Sequence, residues 1–161
     1  MKKILFVCTG NTCRSSMAEA LCRYMLEREG LSFDYSVESA GTFAGAEEPA
    51  SYNAVLALQE MGIDLSYHTS RMIDKKMLQE AYLVLTMTKS HKSYLKSLSP
   101  EAADKIFTLK EYCGESIKTD ICDPFGGSLD IYKDCRDEIL DNLTKLIKDL
   151  KEEKNENSYR K

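Results

Sequence analysis

The arrangement that most restricts this chain lies at its start. Lys2 to Cys8 is a short apolar run, and Cys8-Thr9-Gly10-Asn11-Thr12-Cys13-Arg14-Ser15 follows as a loop of small and turn-prone residues. From Ser15 to Glu29, apolar residues recur at Met17, Ala18, Leu21, Tyr24 and Met25, the spacing of a helix, and Gly30 ends the pattern. Phe33, Tyr35 and Val37 then alternate with polar residues like a half-exposed strand and lead into Ser39-Ala40-Gly41-Thr42. Strand, tight loop, helix and strand is the βαβ order. It continues with a helix over Ala50–Met61, whose Ala54, Ala57, Leu58 and Met61 share one side before Gly62. Ala81–Met87 reads as a buried strand, Ser90–Leu98 as a helix stopped before Pro100, and Lys105–Leu109 as a fourth short strand. A last helix is expected from Asp130 to Leu150, with Ile131, Cys135, Ile139, Leu143, Leu146, Ile147 and Leu150 on its apolar face. Alternating strands and helices predict a single-domain α/β fold: three layers, with a parallel sheet covered by helices on both faces.

Composition narrows the function. With 161 residues there is enough chain for one domain and a real core, and 43% hydrophobic with 30% charged residues excludes a disordered or collagen-like protein. The longest apolar runs, Ile4–Val7 and Leu83–Leu85, fall far short of the roughly 20 residues that span a bilayer. The basic start loses its apolar character after four residues, so a soluble, cytoplasmic protein without membrane contact is expected. A net charge of −4 without any basic block gives no electrostatic reason to expect nucleic acid. Six cysteines without export features point to reduced thiols. The absence of C-x-x-C, and of histidines at finger spacing, argues against zinc. No metal and no cofactor are expected. Residues 151–161 carry almost no apolar content and are expected to form a frayed or disordered tail beyond a domain of residues 1–150.

In open α/β sheets, ligands bind beyond the carboxyl ends of the strands, where a strand hands over to a helix. Here that handover is the Cys8–Ser15 loop, whose backbone N–H groups can form an anion nest while the following helix adds its positive end. The Gly-Lys-Ser/Thr of a nucleotide-binding P-loop is missing. Instead a thiol ends the strand and a guanidinium stands six residues later. Helix dipole, amides and Arg14 all favour negative charge, which suits Cys8 as a reactive thiolate. Arg14 offers a planar fork for two oxygens of a tetrahedral anion. Cys8 thus reads as a nucleophile and Arg14 as a phosphate clamp, with Thr9, Gly10, Asn11, Thr12, Cys13 and Ser15 around the anion.

Val7 to Ser15 with Met17-Ala18-Glu19 resembles the low-molecular-weight protein tyrosine phosphatases. The likeness continues in Ser39-Ala40-Gly41-Thr42, in Val84-Leu85-Thr86-Met87-Thr88 and in Asp123-Pro124-Phe125-Gly126-Gly127. It covers nearly the whole chain up to the tail. The resemblance implies a four-stranded parallel sheet of flavodoxin-like order, a phosphocysteine intermediate and no metal. It also implies Cys8 as nucleophile, Arg14 as clamp and Asp123 as general acid. Asn11 and Ser39 would hold the loop in a strained shape, and the Ser15 hydroxyl would hydrogen-bond the thiolate. Asp123 has a chemical reading as well, since a leaving group on phosphorus needs a proton donor beside it and the intermediate later needs a base for water. It lies in the longest irregular stretch, Glu111–Leu129, where Pro124 fixes the backbone and the glycines let the loop reach over a pocket.

Cys13 has two readings, a small core residue under the loop or a thiol that captures oxidised Cys8 as a disulfide; the resemblance supports the redox role. Cys22, Cys113, Cys122 and Cys135 are expected to pack, with Cys122 close to Asp123 in sequence. His68 and His91 have no evident partner and are expected at the surface.

Two departures bear on substrate. Thr12 stands where tyrosine-specific members carry an apolar residue, and Phe125-Gly126 replaces the paired tyrosines of the animal enzymes. A phosphorylated guanidinium is planar, polar and rich in donors, so a threonine hydroxyl, the Asp123 carboxylate and a Phe125 wall suit it better than a tyrosyl ring. The loop also resembles the bacterial protein-arginine phosphatases, a branch of the same family. A phosphorylated protein is the expected partner, phosphoarginine is favoured over phosphotyrosine, and a monomer is expected. Thioredoxin-coupled arsenate reductases share the anion loop, but their two further cysteines have no counterpart between Thr86 and Leu98. A non-catalytic phosphate-binding module would need neither nucleophile nor acid.

Overall fold

The computed structural model describes residues 1–160. Four parallel strands, β1 (Lys2–Cys8), β2 (Tyr35–Gly41), β3 (Leu83–Thr86) and β4 (Ile106–Thr108), form one sheet in the order β2-β1-β3-β4. The helices are α1 (Arg14–Arg28), α2 (Tyr52–Gln59), α3 (Lys75–Glu80), α4 (Lys89–Leu98), α5 (Leu109–Tyr112) and α6 (Leu129–Tyr159), with a 3₁₀ turn at Pro100–Lys105.

The alternation of β1 sorts the core into two layers. Ile4, Phe6 and Cys8 point to the side where Met17, Leu21, Leu58, Ile139 and Leu143 pack. Leu5 and Val7 point to the other, against Leu78, Leu95, Ala102 and Ile106. Successive strand residues face opposite sides, so a run that is buried throughout requires cover on both faces, as expected. From β1 the chain goes through α1 to β2 on one flank, and β3 lies on the other. The carboxyl end of β1 is therefore the topological switch point, where α/β sheets leave a crevice.

Three expectations need correction. Residues 151–161 are not a disordered tail as far as the described residues go, since α6 continues to Tyr159, and only Lys161 lies outside them. Once nucleated, a helix extends at one hydrogen bond per residue. The extension is also tied to the sheet base: Glu153 takes the Lys2 ammonium at 2.7 Å and the Tyr82 hydroxyl at 3.0 Å, Lys154 pairs with Asp34 at 2.9 Å, and Lys151 pairs with Glu29. Ile131 is 48% exposed; its neighbour Tyr132 is the residue of that turn that enters the core. Phe33 lies in a turn, 88% exposed, so β2 starts at Tyr35. Among the described residues no helix is long and apolar enough to cross a membrane.

Candidate active site

Cys8 ends β1 and is 3% exposed, and the loop behind it is shaped by one asparagine. Asn11 has φ of 59°, in the left-handed region that asparagine tolerates better than most side chains, and it is fully buried. Its side-chain amide donates to Ser15 Oγ at 2.8 Å and Ser39 Oγ at 2.9 Å, while its Oδ1 accepts the Arg71 N–H at 3.1 Å. Every polar atom of that side chain is used, so the turn is held from three sides. Ser39 in turn donates to Glu19 at 2.9 Å. Because Ser15 Oγ accepts from Asn11, its own proton is free to point at Cys8 Sγ, 2.8 Å away. Gly41 lets β2 approach this loop: a Cβ there would lie 2.3 Å from the Thr9 carbonyl oxygen.

Among the described residues, none of the backbone N–H groups from Thr9 to Arg14 has a protein acceptor, and no side chain caps α1. The loop and the helix start thus present a row of free donors with the positive end of α1 behind them. Arg14 is 5% exposed; its Nη1 donates to the Ile121 carbonyl at 3.1 Å and its Nη2 lies 3.6 Å from Asp123 Oδ2. Asp123 itself is half exposed, its Oδ1 accepting the Phe125 N–H at 3.1 Å in a tight turn after Pro124.

Cys8, Thr9, Gly10, Thr12, Cys13, Arg14, Asp123 and Phe125 line one cavity of about 290 Å³, joined by Glu48. Asn11, Ser15 and Ser39 stand behind the wall rather than in it, as supports. Phe125 is 78% exposed at the mouth. The Thr12 hydroxyl has a single long contact, 3.8 Å to Cys13 Sγ. Cys13 is a free thiol 3.0 Å from Ser51 Oγ and 3.3 Å from the buried Tyr132 hydroxyl. Cys22 and Cys135 are buried, as expected of packing residues, and burial pushes both thiols up to about 12. Cys122 is exposed and lies outside the cavity lining.

Both histidines, expected at the surface, grip the loop. His68 Nε2 donates to the Asn11 carbonyl at 2.6 Å. His91 is 6% exposed, with Nε2 2.8 Å from Thr9 Oγ1 and Nδ1 3.0 Å from Thr88 Oγ1. Burial and then the charge of Arg14 lower its pKa to about 4, so the ring is neutral near pH 7. A local signal for His91 exists: Thr88 three residues earlier is an N-cap, which places His91 in the first turn of a helix at the carboxyl edge of the sheet. Glu48 and His68 have no such signal, since the folding of residues 42–72 over the loop brings them in.

Over residues 3–156 the chain matches the family described as low molecular weight phosphotyrosine protein phosphatase. This protein belongs to that family. Across 151 residues it is 49% identical to the protein-arginine-phosphatase of Bacillus subtilis (strain 168), covering 94% of this chain and 98% of the relative. It is 34% identical over 145 residues to the low molecular weight protein-tyrosine-phosphatase PtpB of Staphylococcus epidermidis (strain ATCC 35984), covering 89% and 96%. A solved structure of YwlE arginine phosphatase, a cysteine-to-serine mutant with a phosphorylated active site serine, superposes with a TM-score of 0.88 at 49% identity, covering 92% and 95%. The low molecular weight phosphatase described here is a hydrolase of phosphorylated proteins that works through a cysteine.

Proposed function

We propose that this phosphatase acts on phosphoarginine in proteins, with Cys8 as nucleophile, Arg14 as phosphate clamp and Asp123 as general acid and base. The phosphoryl oxygens sit on the free amides of residues 9–14 and on the Arg14 fork. The Cys8 thiolate, steadied by the Ser15 hydroxyl, attacks phosphorus as the P–N bond to the guanidinium breaks. Asp123, protonated, hands its proton to the leaving nitrogen. Its carboxylate then takes a proton from water, the oxygen attacks phosphocysteine, and the P–S bond breaks to release phosphate and the thiolate. The phosphorylated active site serine in the cysteine-to-serine mutant of the solved relative supports a covalent phospho-enzyme. No step calls for a metal or cofactor.

The observation that carries the arginine reading is the character of the cavity wall. The cavity lining holds the under-used Thr12 hydroxyl of the loop itself and two carboxylates, Glu48 and Asp123, together with Phe125. A guanidinium brings several N–H donors and positive charge to such a wall; a tyrosyl ring brings neither. The six free thiols support work in a reducing, cytoplasmic setting, and a single chain holds all the residues the reaction uses, which supports a monomer. Cys13, in the same loop as Cys8, is the thiol that would capture a Cys8 sulfenic acid under peroxide.

The test is the ratio of kcat/KM on phosphoarginine and phosphotyrosine peptides, in the natural protein and in Thr12→Ile. The substitution removes the hydroxyl and keeps the β-branch. The natural protein should prefer phosphoarginine, and Thr12→Ile should shift the ratio at least about tenfold toward tyrosine, or about 1.4 kcal/mol. A natural preference for phosphotyrosine would replace the arginine reading with that of a tyrosine phosphatase.

A further inference from the structure

We propose that His91 is a positioning residue, a brace that keeps the loop of the nucleophile in register with the loop of the acid. The inference rests on the reading of Cys8 and Asp123 given above.

The turn from Met87 to His91 touches both loops. On one side His91 Nε2 meets Thr9 Oγ1 at 2.8 Å, and Thr9 directly follows Cys8. On the other, the Ile121 N–H donates to the Met87 carbonyl at 2.8 Å and the Lys89 N–H donates to Asp120 Oδ1 at 2.8 Å, just ahead of Asp123. The turn itself is stiff: Thr88 Oγ1 caps α4 by accepting the His91 N–H at 3.2 Å and meets His91 Nδ1 at 3.0 Å, while Thr86 Oγ1 donates to the Thr88 carbonyl at 2.8 Å. A second tie between the two loops runs through Arg14, which reaches Ile121 and Asp123 but is committed to the phosphate.

A buried imidazole suits this place. In its neutral form one ring nitrogen donates and the other accepts, and the rotatable hydroxyls of Thr9 and Thr88 satisfy either tautomer. The charged groups around it are Arg14, Asp120 and Asp123, and a lysine or arginine here would put a second fixed cation against Arg14. In-line transfer requires sulfur, phosphorus, the leaving atom and the acid to stand together, and sub-ångström misplacement of one member lowers the rate without weakening ground-state binding in proportion. The imidazole therefore contributes through the geometry of Thr9 and Asp123, without touching substrate.

The experiment uses His91→Asn, His91→Gln, Thr9→Val and the double variant His91→Asn/Thr9→Val, assayed on aryl phosphates of rising leaving-group pKa with Asp123→Asn alongside. Asn places its amide where Nδ1 was and can reach Thr88 only; Gln places its amide near Nε2 and can reach Thr9. His91→Asn should lower kcat about tenfold with KM within about twofold, and the loss should grow with leaving-group pKa, since the acid is what slips. Thr9→Val, at an exposed residue that leaves the core intact, should do the same. The double variant should be no worse than either single one, and His91→Gln should recover most of the rate. Additive losses, equal behaviour of Asn and Gln, or a loss independent of the leaving group would overturn the brace. Should Asp123→Asn itself show no leaving-group dependence, the acid reading fails; should it show one while His91→Asn and Thr9→Val do not, only the brace fails.

Discussion

The floor and the mouth of the cavity differ in how tightly they are held. In the floor, Asn11 and Ser15 are fully buried, Ser39 is 2% exposed, and each hydroxyl or amide is joined to the next in a chain from Glu19 to the Cys8 thiol. At the mouth Phe125 is 78% exposed, Asp123 is half exposed, and Glu48 is exposed. A locked, satisfied network can impose one geometry, and the tetrahedral phosphate has one geometry to impose it on. An open rim of under-used acceptors can only grade what carries the phosphate. Floor substitutions should therefore injure every substrate alike, and rim substitutions should discriminate.

The largest effect is expected at the floor. Cys8→Ser should abolish turnover of all substrates while vanadate still binds, because the free amides and Arg14 remain; turnover near the natural rate would sink the covalent mechanism. Arg14→Lys should cost on the order of a hundredfold to a thousandfold in kcat on every substrate, since a point charge cannot replace a two-pronged donor. An effect confined to one substrate class would blur the division between floor and mouth. At the boundary, Asp123→Asn should lose on the order of a hundredfold or more with poor leaving groups and much less with p-nitrophenyl phosphate. Equal losses would make Asp123 a structural residue. The smallest effect belongs to the rim: Glu48→Gln should lower kcat/KM for phosphoarginine peptides by about threefold to fivefold, as fits an exposed charge, and should leave p-nitrophenyl phosphate unchanged. A loss shared by both substrates would move Glu48 into the floor.

The same division decided what the sequence could disclose. The floor is mostly contiguous, Cys8 to Ser15 between an apolar run and a helical pattern, so its place at the strand-to-helix turn is legible from residue types and spacing. Strands and the main helices were legible because burial imposes periods that hold over several residues. Short α3 and α5 carried too few residues to show a period. The helical end of α6 is not legible in the sequence because its anchors, Lys2, Asp34, Tyr82 and Glu29, are remote along the chain. The contacts of His68 with Asn11 and of His91 with Thr9 are not legible for the same reason, since these residues become neighbours only after the strands pair; Thr88 is the one partner of His91 close in sequence.

By itself, then, the sequence determined the α/β alternation, the turn at the end of β1 and the thiol and guanidinium placed within it, because backbone turns and helix starts are made by residues close along the chain. Only the tertiary structure decided the contacts of Ser15 with Asn11 and Cys8, the contact of His91 with Thr9 and the presence of Glu48 at the mouth. Those depend on the parallel register of β1 with β2 and β3, which sets segments from all over the chain side by side at one edge of the sheet.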